Sequence, residues 1–221
     1  MLTSATFEFL QDLKTHNHKE WFDENRKRYQ SARQNVIALV EHVLADMAGF
    51  EPGVRGLEAK QCLFRINRDI RFSKNKAPYK TNFGVSIAKG GRRSPLAGYY
   101  FHIEPGGVFA GGGCYMPPSP QLKSIRTHID RNAPDLRAVL AEQEFKDFYG
   151  ELQGESLKTS PKGYEQDHPD IDLLRMKSFI ATRSFSDQEA LSDDFPGQLV
   201  DAFATLQPLI AFLNQALEKE G

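Results

Sequence analysis

A chain of 221 residues with 40% hydrophobic and 26% charged residues has the make-up of an ordinary globular protein, long enough to bury about 70% of its unfolded surface. No stretch approaches the ~18 apolar residues of a membrane span, and the net charge of −1 weighs against a broadly basic nucleic-acid-binding face. Charge is nevertheless uneven: from Arg55 to Arg93 eleven Lys or Arg residues face only Glu58 and Asp69, a local +9 that leaves −10 for the rest, and seven acids stand against Lys219 from Asp187 to Gly221. A basic centre in an acidic chain points to a local anion site.

Ser4 is placed to cap a first helix with an apolar stripe of Phe7, Leu10 and Leu13. His16-Asn17-His18 breaks it, and a short second helix carries Trp21 and Phe22, expected in the core. A long helix follows from about Arg26 to Ala48, with Tyr29, Val36, Val40, Val43, Leu44 and Met47 on one face. Gly49, Pro52, Gly53 and Gly56 close this helical part. From Lys60 the apolar period drops to two. Strands are expected at Gln61–Phe72, Asn82–Lys89, Gly98–Glu104 and Val108–Tyr115, with a tight turn at Glu104-Pro-Gly-Gly.

Ser119 and Pro120 then open a helix with a stripe of Leu122, Ile125 and Ile129. Another helix begins at Asn132-Ala-Pro134 and ends near Gly150. The polar stretch Leu152–Pro169 reads as loop with a short strand at Ser156–Thr159. Pro169–Arg175 is helical, Ser178–Phe185 is a further strand, and Asp187–Leu217 is helical with Leu191, Leu199, Phe203, Leu206, Leu209 and Leu213 inward. Segregated strands and helices favour α+β. The expected architecture is a single α+β domain over 1–221, with an antiparallel sheet of about five strands, helices mainly on one face and an N-terminal helical layer.

Two constellations could carry chemistry. The first is Arg65, Arg68, Asp69, Arg71, Lys74, Lys76, Tyr79 and Lys80. Arginine recognises phosphate or carboxylate through a planar fork and lysine adds a point charge; Asp69 could hold Arg65 or Arg71 in place. On a regular Gln61–Phe72 strand, Arg65 and Arg71 share one face and Arg68 the other. One ligand therefore meets all three only if the backbone bends near Asn67; otherwise Arg68 is structural. The second constellation puts Tyr100, His102 and Glu104 on one strand face, opposite Gly111-Gly-Gly113. His102 beside Glu104 suits acid–base work, and the glycines would leave room for a pocket floor. Against these stand a basic run neutralised by acids such as Asp23 and Glu24, and a hydrogen-bonded sheet histidine.

Other chemistries lack support. Ala110–Pro117 is glycine-rich but lacks the Gly-Lys-Ser/Thr ending of a phosphate loop. The histidines are scattered, without His-x-x-x-His, so no metal site is assigned. Cys62 and Cys114 lie in apolar contexts and are expected as buried thiols. Met1–Glu8 has neither a basic n-region nor a long apolar run, and a cytoplasmic location is expected.

The segment Arg65-Ile-Asn-Arg68-Asp69-Ile-Arg71-Phe72, followed by Asn75-Lys76 and Tyr79, resembles the signature Arg-x-x-Arg-Asp-x-Arg-Phe, Asp/Asn-Lys, Tyr of the bacterial family called domain of unknown function 2461. Asn17–Tyr29, Tyr100-x-His102-Ile-Glu104-Pro-Gly-Gly107 and Gly111–Gly113 look like other parts of that family. The resemblance implies a single-domain member spanning nearly the whole chain. It brings no substrate, cofactor or catalytic residue with it. The residues themselves support a cytosolic protein binding a small anionic or phosphorylated ligand at the Arg/Lys/Tyr cluster, with His102 and Glu104 as candidate catalytic groups and no cofactor or membrane partner. Nucleic-acid binding through the same patch, and an adaptor whose arginines form an internal ion-pair network, are the alternatives.

Overall fold

The structure is a computed structural model that describes residues 1–218. Among the described residues it holds nine α-helices and one antiparallel sheet of four strands. The α+β expectation holds; the strand count is four rather than about five. The chain divides into two compact units. One comprises Met1–Arg92, Tyr100–Ala110 and Ser184–Asp201, and the other comprises the remainder.

In the first unit, α1 (Ser4–Thr15) packs on α3 (Arg26–Met47). The predicted stripes meet: Leu10 and Leu13 on α1 and Val36, Val40 and Val43 on α3 are all fully buried. Thr3, not Ser4, is the residue before the first helical turn. Buried Thr6 donates its hydroxyl to Asn35 Oδ1 at 2.8 Å, which locks the two helices in register. His18 caps α2 (Lys19–Glu24) by accepting from the Trp21 amide. Trp21 is half-buried between the rings of Phe9 and His16, and Phe22 is buried.

The expected strand Gln61–Phe72 does not form. Its start is the helical turn α4 (Ala59–Cys62), nucleated by a capping box in which the Glu58 carboxylate takes the Gln61 amide and the Gln61 side chain takes the Glu58 amide. Beyond it the chain touches sheet geometry at two isolated bridges, Leu63 with Val85 and Asn67 with Tyr79. The second bridge means that the backbone turns back on itself between these residues.

The sheet runs β1 (Phe83–Ile87), β2 (Gly98–Ile103), β3 (Val108–Cys114), β4 (Phe179–Phe185), in that spatial order. Glycine serves the β2–β3 turn, where Gly106 takes φ +74° and Gly107 donates to the Glu104 carbonyl. Along β2 burial alternates, with Tyr99, Phe101 and Ile103 buried and Tyr100 and His102 half-buried. That alternation is the direct consequence of the strand's period of two.

In the second unit, the two helices expected on either side of Asn132 run on as α5 (Ser119–Ala141), kinked at Asn132. Then α6 (Gln143–Tyr149) stops at Gly150, whose φ is +74°. Ser156 makes an isolated bridge with Met176 instead of a strand. After α7 (Ile171–Leu174) the expected C-terminal helix is split into α8 (Asp187–Ala190), which falls in the first unit, and α9 (Phe195–Leu217). Tyr99 packs on Phe203 of α9, and the buried Tyr149 hydroxyl donates to the Ala202 carbonyl. Cys62 and Cys114 are buried free thiols, and burial pushes both up to about 11.

The Gly111–Gly113 run does not form a pocket floor. A Cβ on Gly111 would collide with the Ala181 carbonyl oxygen and one on Gly113 with the Phe179 carbonyl oxygen. Gly113 also holds φ +120°. These glycines let β3 lie unusually close to β4.

Candidate functional site

The eleven polar residues of the two constellations all lie in the first unit, in two neighbouring groups. The first group is a knuckle, Arg68–Pro78, closed at its base by the Asn67–Tyr79 bridge. The Arg68 amide donates to the Pro78 carbonyl at 2.9 Å and the Lys80 amide to the Ile66 carbonyl at 2.8 Å. Asn17 clamps the base from α1's end: its Oδ1 accepts from the Tyr79 amide and its Nδ2 donates to the Tyr79 carbonyl, each at 3.0 Å. The Tyr79 ring is buried, stacked on Phe22 with centroids 4.0 Å apart. Burial raises the Tyr79 hydroxyl above its usual range, so the phenol stays protonated.

Within the knuckle several cations are already engaged. Arg68 donates to the Ala77 carbonyl at 2.9 Å and to the Ser73 hydroxyl at 3.3 Å. Lys76 Nζ donates to the Ile70 carbonyl at 3.1 Å, and Asn75 Oδ1 accepts from the Ala77 amide at 2.9 Å. Arg71 grips Asp69 through Nε and Nη2, at 2.9 and 2.6 Å, and these bonds hold the Asp69 carboxyl below its usual range. The backbone therefore does bend beyond Asn67, and Arg68 braces the bend.

Arg65 and Lys80 behave differently. Among the described residues neither side chain has a carboxylate partner or a hydrogen bond. Arg65 is exposed and Lys80 half-buried. The Lys80 ammonium lies 5.1 Å from the centre of the Phe64 ring. Burial first, and the Arg65 charge second, lower its pKa. The Phe64 ring in turn lies beside Tyr100, at a centroid distance of 6.5 Å.

Tyr100 begins the second group, a polar row across β2. Its hydroxyl lies 3.2 Å from His102 Nδ1, and Asn82 Nδ2 is also 3.2 Å from that nitrogen. His102 Nε2 lies 3.2 Å from Glu104 Oε2, while Thr81 donates its hydroxyl to Glu104 Oε1 at 2.9 Å. An ionised carboxylate only accepts, so Nε2 carries the imidazole hydrogen and Nδ1 accepts from Asn82. Phe109 of β3 stacks on the imidazole at 4.9 Å and fixes its plane. Burial raises the Tyr100 hydroxyl, which makes it a proton donor rather than a phenolate. The Glu104 end of the row lines a cavity of about 310 Å³, shared with Lys14, Gln11 and Asp187.

Room for the row comes from Gly84, not from the β3 glycines. A Cβ on Gly84 would sit 2.7 Å from the Tyr100 hydroxyl. Gly84 opposite Tyr100 and Asn82 opposite His102 keep one antiparallel register between β1 and β2. Asn82, Gly84, Thr81 and Phe109 were thus missed by the sequence reading, yet reading Asn82-x-Gly84, which leads into β1, against Tyr100-x-His102 of β2 would have found two of them.

The model of a family of conserved hypothetical proteins, DUF2461, matches residues 5–212. The chain belongs to this family. No curated protein and no solved structure matches it. Family membership covers both groups, from Asn17 through the knuckle to the β2 row, and names no chemistry for either.

Proposed function

We propose that this DUF2461 member is a cytosolic protein that binds a small anionic ligand, such as a phosphorylated metabolite, between Arg65 and Lys80. The observation that carries this reading is Lys80: a half-buried ammonium that, among the described residues, has no anion beside it and a second unpaired cation close enough to depress its pKa. Holding two like charges together in a partly desolvated place is unfavourable. A bound phosphate or carboxylate would offset that cost, and the planar Arg65 guanidinium suits such an oxyanion. Phe64, with the Tyr100 ring tilted beside it, supplies apolar surface next to the Lys80 charge. The Tyr100–His102–Glu104 row supports an acid–base role: the Tyr100 hydroxyl is the acid, and His102, whose Nε2–H is held by Glu104, is the base through its Nδ1 lone pair.

The ion-pair-network alternative draws less support. Among the described residues only Arg71 of the three arginines Arg65, Arg68 and Arg71 has a carboxylate partner; Arg68 is bound by a carbonyl and a hydroxyl.

Thermal unfolding with and without inorganic phosphate and ribose 5-phosphate tests the reading. At a hundredfold excess over Kd, a single site raises stability by about 2.7 kcal/mol, or roughly 5–10 °C for a chain of this size. Lys80→Met and Arg65→Ala should each abolish the rise, whereas Arg71→Ala should keep it. No rise with either anion, or an equal rise in the Arg65/Lys80 double variant, would sink the proposal.

A further inference from the structure

We infer that the knuckle itself is a second site, a docking element for single-stranded nucleic acid, with Phe72 stacking a base and Arg71 and Lys74 meeting the adjacent phosphates. This goes beyond the small-anion site at Arg65 and Lys80 and rests on separate observations.

Phe72 is 95% exposed at the knuckle's tip. A phenyl ring in water keeps its apolar faces unburied, and a stacking partner gains by covering them. Yet the knuckle is built to hold it: five hydrogen bonds from Arg68, Lys76 and Ala77 to Pro78, Ala77, Ser73, Ile70 and Asn75 brace the backbone on both sides of the tip. The backbone that carries the ring is therefore preformed, which lowers the entropic cost of binding. Arg71 lies over the ring at 5.8 Å to its centroid. Exposed Lys74 and Lys76 flank the same tip, and Asp69, already gripped by Arg71, is its single acid.

An aromatic ring set among cations is complementary to a polyanion that also offers flat apolar faces, and a single strand is that polymer. A duplex keeps its bases stacked and has none to give to Phe72. A flat anionic membrane would also meet the cations, but the chain outside Arg55–Arg93 carries −10, and a plane of negative charge repels that remainder within a Debye length of about 8–10 Å. A flexible strand can touch the knuckle alone.

Fluorescence anisotropy with labelled oligo(dT) and oligo(U), over a range of salt concentrations, tests the assignment. The wild-type chain should bind both, with an affinity that falls linearly in log–log salt. Phe72→Ala should weaken binding about tenfold, as for loss of one stacked base, and Lys74→Ala should flatten the salt slope by about 0.7. Because Phe72 contacts water, its variant should fold with an unchanged circular dichroism spectrum. Lys80→Met should leave oligonucleotide binding intact, separating this site from the small-anion one. Absence of salt-dependent binding to either strand, a Phe72→Ala variant that binds like wild type, equal binding of a duplex, or binding only to phosphatidylserine vesicles would overturn the inference.

Discussion

In the knuckle, the charges of Arg68 and Lys76 point back into their own loop and bond to its carbonyls; on β2, His102 and Glu104 are held by side chains from neighbouring strands and from Thr81. The first arrangement makes shape, the second makes a network of titratable groups. Lys80 and Arg65 stand between them and belong to neither, since their charges are unmatched. A count of positive charge places the site in the knuckle. Partner by partner, the charges free for a small ligand sit instead at its base, next to the β2 row.

Substitutions can break or sharpen this contrast. The largest effect is expected at the knuckle's anchor: Tyr79→Ala removes a buried ring from Phe22 and should cost about 3 kcal/mol in urea denaturation. A loss below about 1 kcal/mol would mean that packing does not anchor the knuckle. Arg68→Ala should cost about 2 kcal/mol, since it strips two charge-assisted bonds from the brace. Arg71→Ala, on a fully exposed pair, should leave the midpoint within error. Equal losses for the two arginines would erase the distinction between brace and surface. On the sheet, Gly84→Ala should cost about 1 kcal/mol by overpacking and push the Tyr100 hydroxyl away from His102, visible as a shift of the imidazole resonances; unshifted resonances would count against Gly84 as the source of room.

Smaller effects sharpen the charge argument. The folded pKa of Lys80 lies below 10.5, so its ammonium destabilises the fold at all pH below that folded value. The penalty fades as pH rises through the folded pKa toward 10.5. Lys80→Met should therefore be slightly more stable than wild type at pH 7 in phosphate-free buffer, with the gap closing in strong alkali. A less stable Lys80→Met would show that the ammonium has a partner after all. Smallest of all, ¹⁵N spectra of the neutral imidazole should show His102 as the Nε2–H tautomer, with no change in stability involved. The opposite tautomer would break the Glu104 link.

Much of the scaffold was legible because it depends on local periodicity. The stripes of α1 and α3, the turn at Gly106 and the alternation along β2 are repeated over many residues, and burial followed them. The same reasoning failed at Gln61–Phe72. There Phe64, Ile66, Ile70 and Phe72 mimic a strand, yet Ile66 is buried while Phe72 stands in water. The capping box at Glu58 and Gln61 and the Asx turn at Asn75 are local signals that outweighed the alternation. The β3 glycines misled for another reason: a missing side chain can leave room or admit a neighbouring backbone, and the identity of the neighbour, β4, is not written nearby.

From the sequence alone came the α+β class, the family pattern and the presence of Tyr100, His102 and Glu104 on one face, because each rests on residue type and short-range spacing. Tertiary structure decided which cations are engaged and which are free, since a guanidinium satisfied by a carbonyl nine residues away, as Arg68 is by Ala77, looks the same in sequence as one left open like Arg65. It also decided what completes the polar row, because Asn82 and Phe109 reach His102 only through the register of three strands. Hydrogen bonds and electrostatic fields act over ångströms in space, and separation along the chain does not measure that distance.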